Sequence, residues 1–251
     1  MTPDQFQRVL ATGHPEARAA LIVAAMIGGL ALMLRDARSW PLSTRQRVGL
    51  FAAIIGGGFG GALALSHLAG GLVGQQIRSG GPTPMTILGG LLAGFLSAAL
   101  YKRWLVIRWD TSDAFARGTC LAMGIGRLGC HASHCCLGVP AVDPRWGVDF
   151  GDGCPRVPIQ LVEAALVLAL LPVLTALHER DALPHRRLFL LFAAYGTLRF
   201  FLEFWREPMG YHVLGLGSYQ WFAAGLAGVG LYQIAKRTRA LRREAAARRP
   251  A

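Results

Sequence analysis

Seven apolar segments recur along the chain, and each has the length of a helix that crosses a lipid bilayer. They lie near residues 17–34, 48–73, 84–101, 113–129, 159–177, 187–205 and 214–235. A membrane-spanning helix needs about 20 predominantly apolar residues, with a range of about 17–25. Because hydrocarbon offers no partners to backbone polar groups, such segments must be helical. The sequence therefore predicts an all-α, polytopic membrane protein with seven spans, formed by residues 1–251 as a single domain.

The composition agrees with a membrane protein and argues against a soluble one. Hydrophobic residues make up 53% of the chain and charged residues only 16%, whereas soluble domains are about one quarter charged. The 32 glycines lie largely inside the apolar runs, where small residues let membrane helices approach closely. The formal net charge of +12 would suggest nucleic-acid binding in a soluble protein.

Basic residues alternate between rich and poor connections along the chain. The first, third and fifth connections each hold three or four Lys and Arg residues, whereas the second and sixth hold one each. The fourth holds two arginines, which three aspartates offset. The tail, residues 236–251, carries seven. Since Lys and Arg favour cytoplasmic loops, this predicts an outer N-terminus and a cytoplasmic tail in the bacterial inner membrane. A basic tail directly after a span suits anionic lipid headgroups, so we expect no nucleic-acid partner. We also expect the protein to be a monomer.

The sixth apolar segment contains several polar residues on one helical stripe. In LFLLFAAYGTLRFFLEFWREP, Arg199 and Glu203 are four residues apart, Tyr195 lies one turn earlier and Arg206 lies three residues later. A charge in the middle of a span costs at least about 2.5–3.5 kcal/mol, so such groups face the bundle interior and pair. Two interpretations remain open: the pair only braces the bundle, or it forms part of a functional site.

The stretch GRLGCHASHCCLG, residues 126–138, combines one arginine, two histidines and three cysteines directly after an apolar run. Arg127 supplies a second cation at the predicted outer end of its span. Two guanidiniums that converge in a low-dielectric cleft suit a phosphate, which they can bind bidentately. Residues 130–158 that follow are rich in Gly and Pro, and we expect them to form a structured outer lid. Gln160 and Glu163 then open the fifth span and are expected to point into the same cleft.

Four stretches, in order, resemble the prolipoprotein diacylglyceryl transferase family. TILGGLLAG is similar to its Gly-Gly segment, GRLGC with Gly138 to its GR-x-GN signature, RVPIQLVEA to its RHPSQLYEA, and YGTLRFFLEFWREP to its YG-xx-RF-xx-EF-x-REP motif. The resemblance implies a seven-span enzyme without a cofactor. Such enzymes transfer the diacylglyceryl group of phosphatidylglycerol to a lipoprotein thiol and release glycerol phosphate.

The resemblance also implies roles for individual residues. Arg127 and Arg199 would hold the phosphate, while Tyr195 and Glu203 would orient Arg199. By the same resemblance, Arg206 would bind near the headgroup and Gly138 would shape the loop. The other residues that we expect to bind substrate are Cys130, Gln160, Glu163, Gly89 and Gly90.

This chain departs from the family pattern at positions where the family has polar side chains. Leu88 stands where the family has a histidine before its Gly-Gly pair, Cys130 replaces the asparagine of GR-x-GN, and Val157 replaces the histidine of RHPSQ. His131 and His134 are near enough in sequence to supply a base instead, and we expect them to be catalytic; that they are loop histidines without a role stays open. The departures make the acceptor an open question, either a lipoprotein cysteine or a small thiol.

Three interpretations of the outer cysteines remain open. Cys154 forms a disulfide with one of the other three; one cysteine is a reactive thiol that the neighbouring Arg127 activates; or Cys130, His134, Cys135 and Cys136 bind a metal such as zinc. The C-x4-C-C spacing lacks the usual paired pattern of zinc sites, so no metal or cofactor is expected. Two other functions remain open: a thiol-redox or metal-binding membrane protein, and a non-enzymatic lipid-binding protein.

Overall fold

The computed structural model describes residues 8–70, 86–207 and 212–247, and it is all-helical apart from one short hairpin. The long helices are α1 (Pro15–Asp36), α2 (Thr44–Gly70), α3 (Ile87–Trp104), α4 (Ala116–Ala132), α5 (Ile159–Glu179), α6 (Arg187–Leu202) and α7 (Ser218–Ala247). Short 3-10 turns occur at Ser112–Phe115, Pro144–Trp146 and Glu203–Trp205, and the hairpin pairs β1 (His212–Val213) with β2 (Leu216–Gly217). Each predicted apolar segment thus coincides with a helix.

Four helices in the described ranges are long and apolar enough to cross a membrane. They are Pro15–Asp36, Thr44–Ala64, Ile159–Glu179 and Arg187–Trp205. The other three predicted segments also form helices, but α4 has only 17 residues and carries two arginines, and α3 ends in Lys102 and Arg103. Residues 71–73 and 84–85 of the predicted segments lie outside the described residues.

The helix ends follow from local chemistry. Pro15 occupies the first turn of α1, where its missing N–H is not needed. Thr86 caps α3, because its hydroxyl accepts a hydrogen bond of 3.1 Å from the backbone N–H of Gly89. The sixth segment ends earlier as an α-helix than the sequence predicts, since α6 stops at Leu202 and the chain tightens into a 3-10 turn at Glu203.

Helix α6 lies at the centre of the bundle. Its Phe189, Phe192 and Tyr195 are fully buried in a core with side chains from α4, α5 and α7. Helix α7 packs closely on it, because a Cβ at Gly196 would lie 2.6 Å from the backbone nitrogen of Ala227. By contrast, α1 presents large apolar side chains outward, with Ile27 65% exposed. This distribution suits a helix bundle surrounded by lipid.

Polar side chains are concentrated at the two ends of the bundle. At one end Asp36 pairs with Arg117, and Arg187 bonds Asp181 at 2.7 Å. Arg127 lies ten residues along α4 from Arg117, which corresponds to about 15 Å of helix. The second polar cluster forms around Arg127 and contains most of the residues that the sequence singled out.

Candidate functional site

Arg127 and Glu163 form a buried ion pair between α4 and α5. Nε of Arg127 lies 2.9 Å from Oε1 of Glu163, and the two residues are 7% and 1% exposed. The hydroxyl of Tyr195, on α6, donates a hydrogen bond of 2.8 Å to the same oxygen and accepts one of 3.4 Å from Nη2 of Arg127. Three helices therefore meet at one carboxylate oxygen. Tyr195 orients Arg127 and Glu163, whereas the sequence assigned it to Arg199.

Arg199 reaches the same carboxylate from α6. Its Nε lies 3.9 Å from Oε1 of Glu163, and its Nη2 lies 2.5 Å from Oε2 of Glu203, one turn further on. The expected i,i+4 pairing of Arg199 with Glu203 is therefore present. Glu203 also pairs with Arg206, whose Nη1 lies 3.4 Å away. The two carboxylates hold three guanidiniums in one buried group.

The charges of this group do not cancel. Three guanidiniums face two carboxylates in a site where all three arginines are at most 9% exposed, so these five side chains together carry one positive charge. Nη1 of Arg199 is buried and has no hydrogen-bond partner among the residues that the structure describes. Buried donors normally have partners, so the geometry favours an anionic ligand at this position.

The loop after α4 pairs with the chain that follows the 3-10 turn at Glu203. Gly138 and Arg206 form an antiparallel bridge, with hydrogen bonds of 3.0 Å from the N–H of Val139 to the carbonyl of Trp205 and from the N–H of Glu207 to the carbonyl of Leu137. This pairing fixes Arg206 in an extended backbone beside Glu203. Gly138 thus shapes the loop where it pairs with Arg206.

Sequence reasoning missed the residue that fixes this pairing. Arg156 is 5% exposed, donates to the carbonyl of Gly138 at 3.3 Å, and pairs with Asp152 at 2.9 Å and with Glu207 at 3.0 Å. Through these contacts Arg156 links the lid to the segment that holds Arg206. The presence of Asp152 four residues earlier is the one signal in the sequence, but a Gly/Pro-rich loop normally exposes its charges.

Substitution of Gly138 by alanine is expected to lower the stability of the folded protein. The new Cβ would lie 2.2 Å from the carbonyl oxygen of Val157, and such overpacking costs about 1–3 kcal/mol. The measurement is the melting temperature of the detergent-purified protein. Gly228→Ala on α7 is the matched control, because its Cβ would meet nothing within 4 Å. Equal melting temperatures for the two variants would contradict the role of Gly138.

Comparison with known proteins identifies the family. The family model for prolipoprotein diacylglyceryl transferase matches residues 17–235. The chain belongs to the prolipoprotein diacylglyceryl transferase family. It is similar to the phosphatidylglycerol--prolipoprotein diacylglyceryl transferases of Nitrosospira multiformis, at 34% identity over 166 residues and 62% of this chain, and of Leifsonia xyli, at 31% over 164 residues and 59%.

The extent of the match differs between members of the diacylglyceryl transferase family. The matched region spans 57% of the Nitrosospira protein and 49% of the Leifsonia protein, so it covers about half of these relatives. The enzyme of Nitrosomonas europaea is matched over 68% of its length and 73% of this chain, at 31% identity. Both Arg127 and Arg199, with Glu163 between them, lie inside the region that the family model matches.

This member of the diacylglyceryl transferase family has a cluster of thiols beside the arginines. The sulfurs of Cys130, Cys135 and Cys136 all lie within 4.8 Å of one another, and Nη1 of Arg127 lies 3.9 Å from Sγ of Cys130. Hydrogen bonds from Cys130 and Cys135, followed by the nearby guanidiniums, lower the pKa of the Cys136 thiol well below its ordinary value. All five cysteines are free, so the disulfide to Cys154, one of the three interpretations left open, is not formed in the structure. The sulfurs converge on each other, and Cys154 is not part of the group.

The two histidines proposed as bases lie beside the thiol cluster in sequence but contact other residues. Their rings pack edge-on against Phe150, with centroid distances of 5.5 Å for His131 and 5.2 Å for His134. Nδ1 of His134 lies 2.9 Å from the hydroxyl of Thr12, whereas Nδ1 of His131 is buried without a hydrogen-bond partner among the described residues. The described hydrogen bonds and ion pairs do not link either ring to the arginine cluster.

The remaining predicted site residues divide between the lid and a helix contact. Nε2 of Gln160 donates a hydrogen bond of 2.6 Å to the carbonyl of Cys135, so this side chain anchors the cysteine loop to α5. Gly89 and Gly90 instead lie where α3 meets α2, and a Cβ on Gly90 would lie 3.3 Å from the carbonyl oxygen of Gly58. Leu88 is 3% exposed in the core. The Gly-Gly pair therefore serves helix packing in the described contacts.

Proposed function

We propose that the protein transfers a diacylglyceryl group from phosphatidylglycerol to a thiol at the outer face of the bacterial inner membrane. Membership of the family supports the reaction type. The observation that carries the proposal is the approach of Arg127 and Arg199, from different helices, to the same oxygen of Glu163 at 2.9 and 3.9 Å. Two guanidiniums can donate to the oxygens of one phosphodiester headgroup, and Nη1 of Arg199 has no hydrogen-bond partner among the described residues.

The proposed mechanism stabilises the leaving group by charge. The acceptor sulfur attacks the glyceryl carbon that bears the phosphate, and the carbon–oxygen bond breaks. The departing glycerol phosphate gains negative charge, which the guanidiniums of Arg127 and Arg199 neutralise in a site that excludes water. Glu203 holds Arg199, while Tyr195 and Glu163 hold Arg127, so the donors are oriented before the substrate arrives. His131 and His134 are the proposed bases for the thiol proton.

The proposed topology has seven spans with the N-terminus outside and a cytoplasmic basic tail. It is supported by the alternation of basic residues between connections and by the separation of the two polar clusters to opposite ends of the bundle. In this orientation the Arg127 cluster and residues 130–158 face outward. Phospholipid then enters from the outer leaflet, and a lipoprotein cysteine or a small thiol reaches the site from the same side. We propose that the protein works as a monomer.

Complementation tests the proposed reaction in cells. In bacteria depleted of their own prolipoprotein diacylglyceryl transferase, expression of this protein is expected to restore growth and the lipid-modified form of a reporter lipoprotein. An Arg199→Ala variant that inserts at the same level is the control and is expected not to restore either. Growth without lipid modification of the reporter, or equal rescue by the variant, would contradict the proposal.

An assay with purified protein separates transfer from lipid binding alone. Phosphatidylglycerol labelled in its diacylglyceryl part is mixed with a lipobox peptide that contains one cysteine, and released glycerol phosphate is measured. We expect one glycerol phosphate for each lipidated peptide. Saturable binding of phosphatidylglycerol without release would instead support a non-enzymatic lipid-binding protein.

A further inference from the structure

The three clustered thiols have no role in the transfer proposed above, although they lie at its edge. The three residues are half-buried, and their sulfurs lie within 4.8 Å of one another and receive two donors from neighbouring side chains. The hydroxyl of Ser133 lies 3.4 Å from Sγ of Cys135, and Nη1 of Arg127 lies 3.9 Å from Sγ of Cys130. Donors aimed at sulfur stabilise its anionic form and orient it, as the outer ligands of a metal site do.

The backbone holds the three sulfurs together. The N–H of Cys135 donates to the carbonyl of Cys130 at 3.1 Å, and Gln160 holds the carbonyl of Cys135 at 2.6 Å. His134 and Cys136 have φ angles of 52° and 60°, a left-handed conformation that non-glycine residues rarely adopt. The same left-handed conformation follows α3 at Val106 and α5 at Asp181, where it ends a helix. Here it turns Cys135 and Cys136 back toward Cys130.

We infer that Cys130, Cys135 and Cys136 bind one zinc ion, whose fourth ligand is the acceptor thiol. Thiolate sulfurs about 2.3 Å from a tetrahedral zinc lie about 3.8 Å apart, so the observed separations of up to 4.8 Å need only a small contraction. Three protein ligands with one open position are typical of catalytic zinc. The second part of the inference, the acceptor thiol as ligand, rests on the proposed function.

The structure changes the ligand set that the sequence suggested. His134 was the fourth candidate, but its Nδ1 lies 2.9 Å from the hydroxyl of Thr12 and the described donor group contains the three sulfurs alone. Three thiolates and Zn²⁺ together carry one net negative charge. The guanidinium of Arg127, which lies against the sulfur of Cys130, would stabilise that charge. The spacing C-x4-C-C does not itself indicate zinc, and only the folded loop brings the donors together.

Zinc gives the transfer a ready nucleophile. When the acceptor thiol binds zinc, its proton passes to the base and the sulfur remains as a thiolate. The sulfur forms a bond to the glyceryl carbon, the bond from that carbon to the phosphate oxygen breaks, and its electron pair stays on the oxygen of glycerol phosphate. No oxidant or reductant is needed. The thioether product is a weaker ligand than a thiolate and leaves the zinc.

Metal titration of the purified, reduced protein tests the site itself. We expect one Zn²⁺ per chain, and with Co²⁺ as the probe an intense sulfur-to-metal charge-transfer band. Cys136→Ser should weaken Zn²⁺ binding at least tenfold, Ser133→Ala should weaken it about tenfold, and Cys154→Ser, outside the cluster, should bind as the wild type does. Melting temperatures show whether each variant is folded.

Two results would overturn the site, one from this titration and one from a thiol count on the protein before reduction. One is wild-type protein that binds Zn²⁺ no more tightly than the triple serine variant. The other is a native disulfide within the cluster, seen as a loss of two thiols before reduction.

A peptide tests the open position and separates this inference from the proposed function. A lipobox peptide with one cysteine should shift the Co²⁺ spectrum toward four sulfur ligands, whereas the same peptide with serine should not. An unchanged spectrum would overturn the acceptor role. Transfer by zinc-free wild type at the full rate would overturn it too while leaving the proposed function intact. Zinc binding in a protein that never releases glycerol phosphate would instead refute the proposed function.

Discussion

Replacing Glu163 with glutamine is expected to destabilise the folded protein by about 3–5 kcal/mol, the usual cost of removing one partner of a buried ion pair. Glu163 is 1% exposed, and a single oxygen serves Arg127, Arg199 and the hydroxyl of Tyr195. Glutamine keeps the shape of the side chain but leaves two guanidiniums buried without their shared counter-charge. The measurement is thermal unfolding of the detergent-purified protein, followed by tryptophan fluorescence.

The matched control for this variant is Asp143→Asn. It also replaces a carboxylate with an amide in an arginine ion pair, but Arg145 is exposed to water at 86% of its side chain. Exposed pairs contribute little, so its melting temperature should equal that of the wild type. If the Glu163→Gln protein has the same melting temperature as the wild type, the buried carboxylate does not hold the guanidiniums in place.

Replacing Arg127 or Arg199 with lysine is expected to lower the rate of glycerol phosphate release by at least about 100-fold, the effect of losing one donor to a developing anion. Lysine keeps the positive charge and therefore a partner for Glu163, but it lacks the planar fork that binds two oxygens at once. The fold should survive because the ion pair survives. The measurement is the initial rate with phosphatidylglycerol in mixed micelles and a thiol peptide.

Arg145→Lys is the control for both variants, since it makes the same substitution in the lid, where the side chain of Arg145 is 86% exposed to water. Its rate should stay within twofold of the wild type. If the lysine variant of Arg127 or Arg199 folds and reacts as fast as Arg145→Lys, that arginine has no role in the transfer step.

The central residues of the site could be predicted because they are charged residues in or beside apolar segments. Arg127, Arg199 and Glu203 lie in or beside segments that lipid surrounds, and such groups must find partners inside the bundle. The structure brings Arg127 and Arg199 together as expected. It also places Glu163 between the two arginines, whereas the sequence predicted only that Glu163 points into the cleft. The register between α4, α5 and α6 decides which carboxylate lies between the guanidiniums.

Loop geometry accounts for what the sequence did not reveal. The convergence of Cys130, Cys135 and Cys136 depends on two left-handed residues and on the hydrogen bond from Gln160, none of which leaves a periodic signal. Arg156 bonds Gly138 and Glu207, which lie 18 and 51 residues away, so its burial was equally hidden. The positions of the helices were predictable because each apolar segment is long. The early end of α6 at Leu202 was not predictable.

An experimental structure of the protein with bound phosphatidylglycerol is the most direct measurement. The account predicts that oxygens of the one phosphate lie within hydrogen-bond distance, about 2.7–3.2 Å, of guanidinium nitrogens of both Arg127 and Arg199. A phosphate held elsewhere in the bundle, or by one of these arginines while the other keeps only its carboxylate partner, would contradict it.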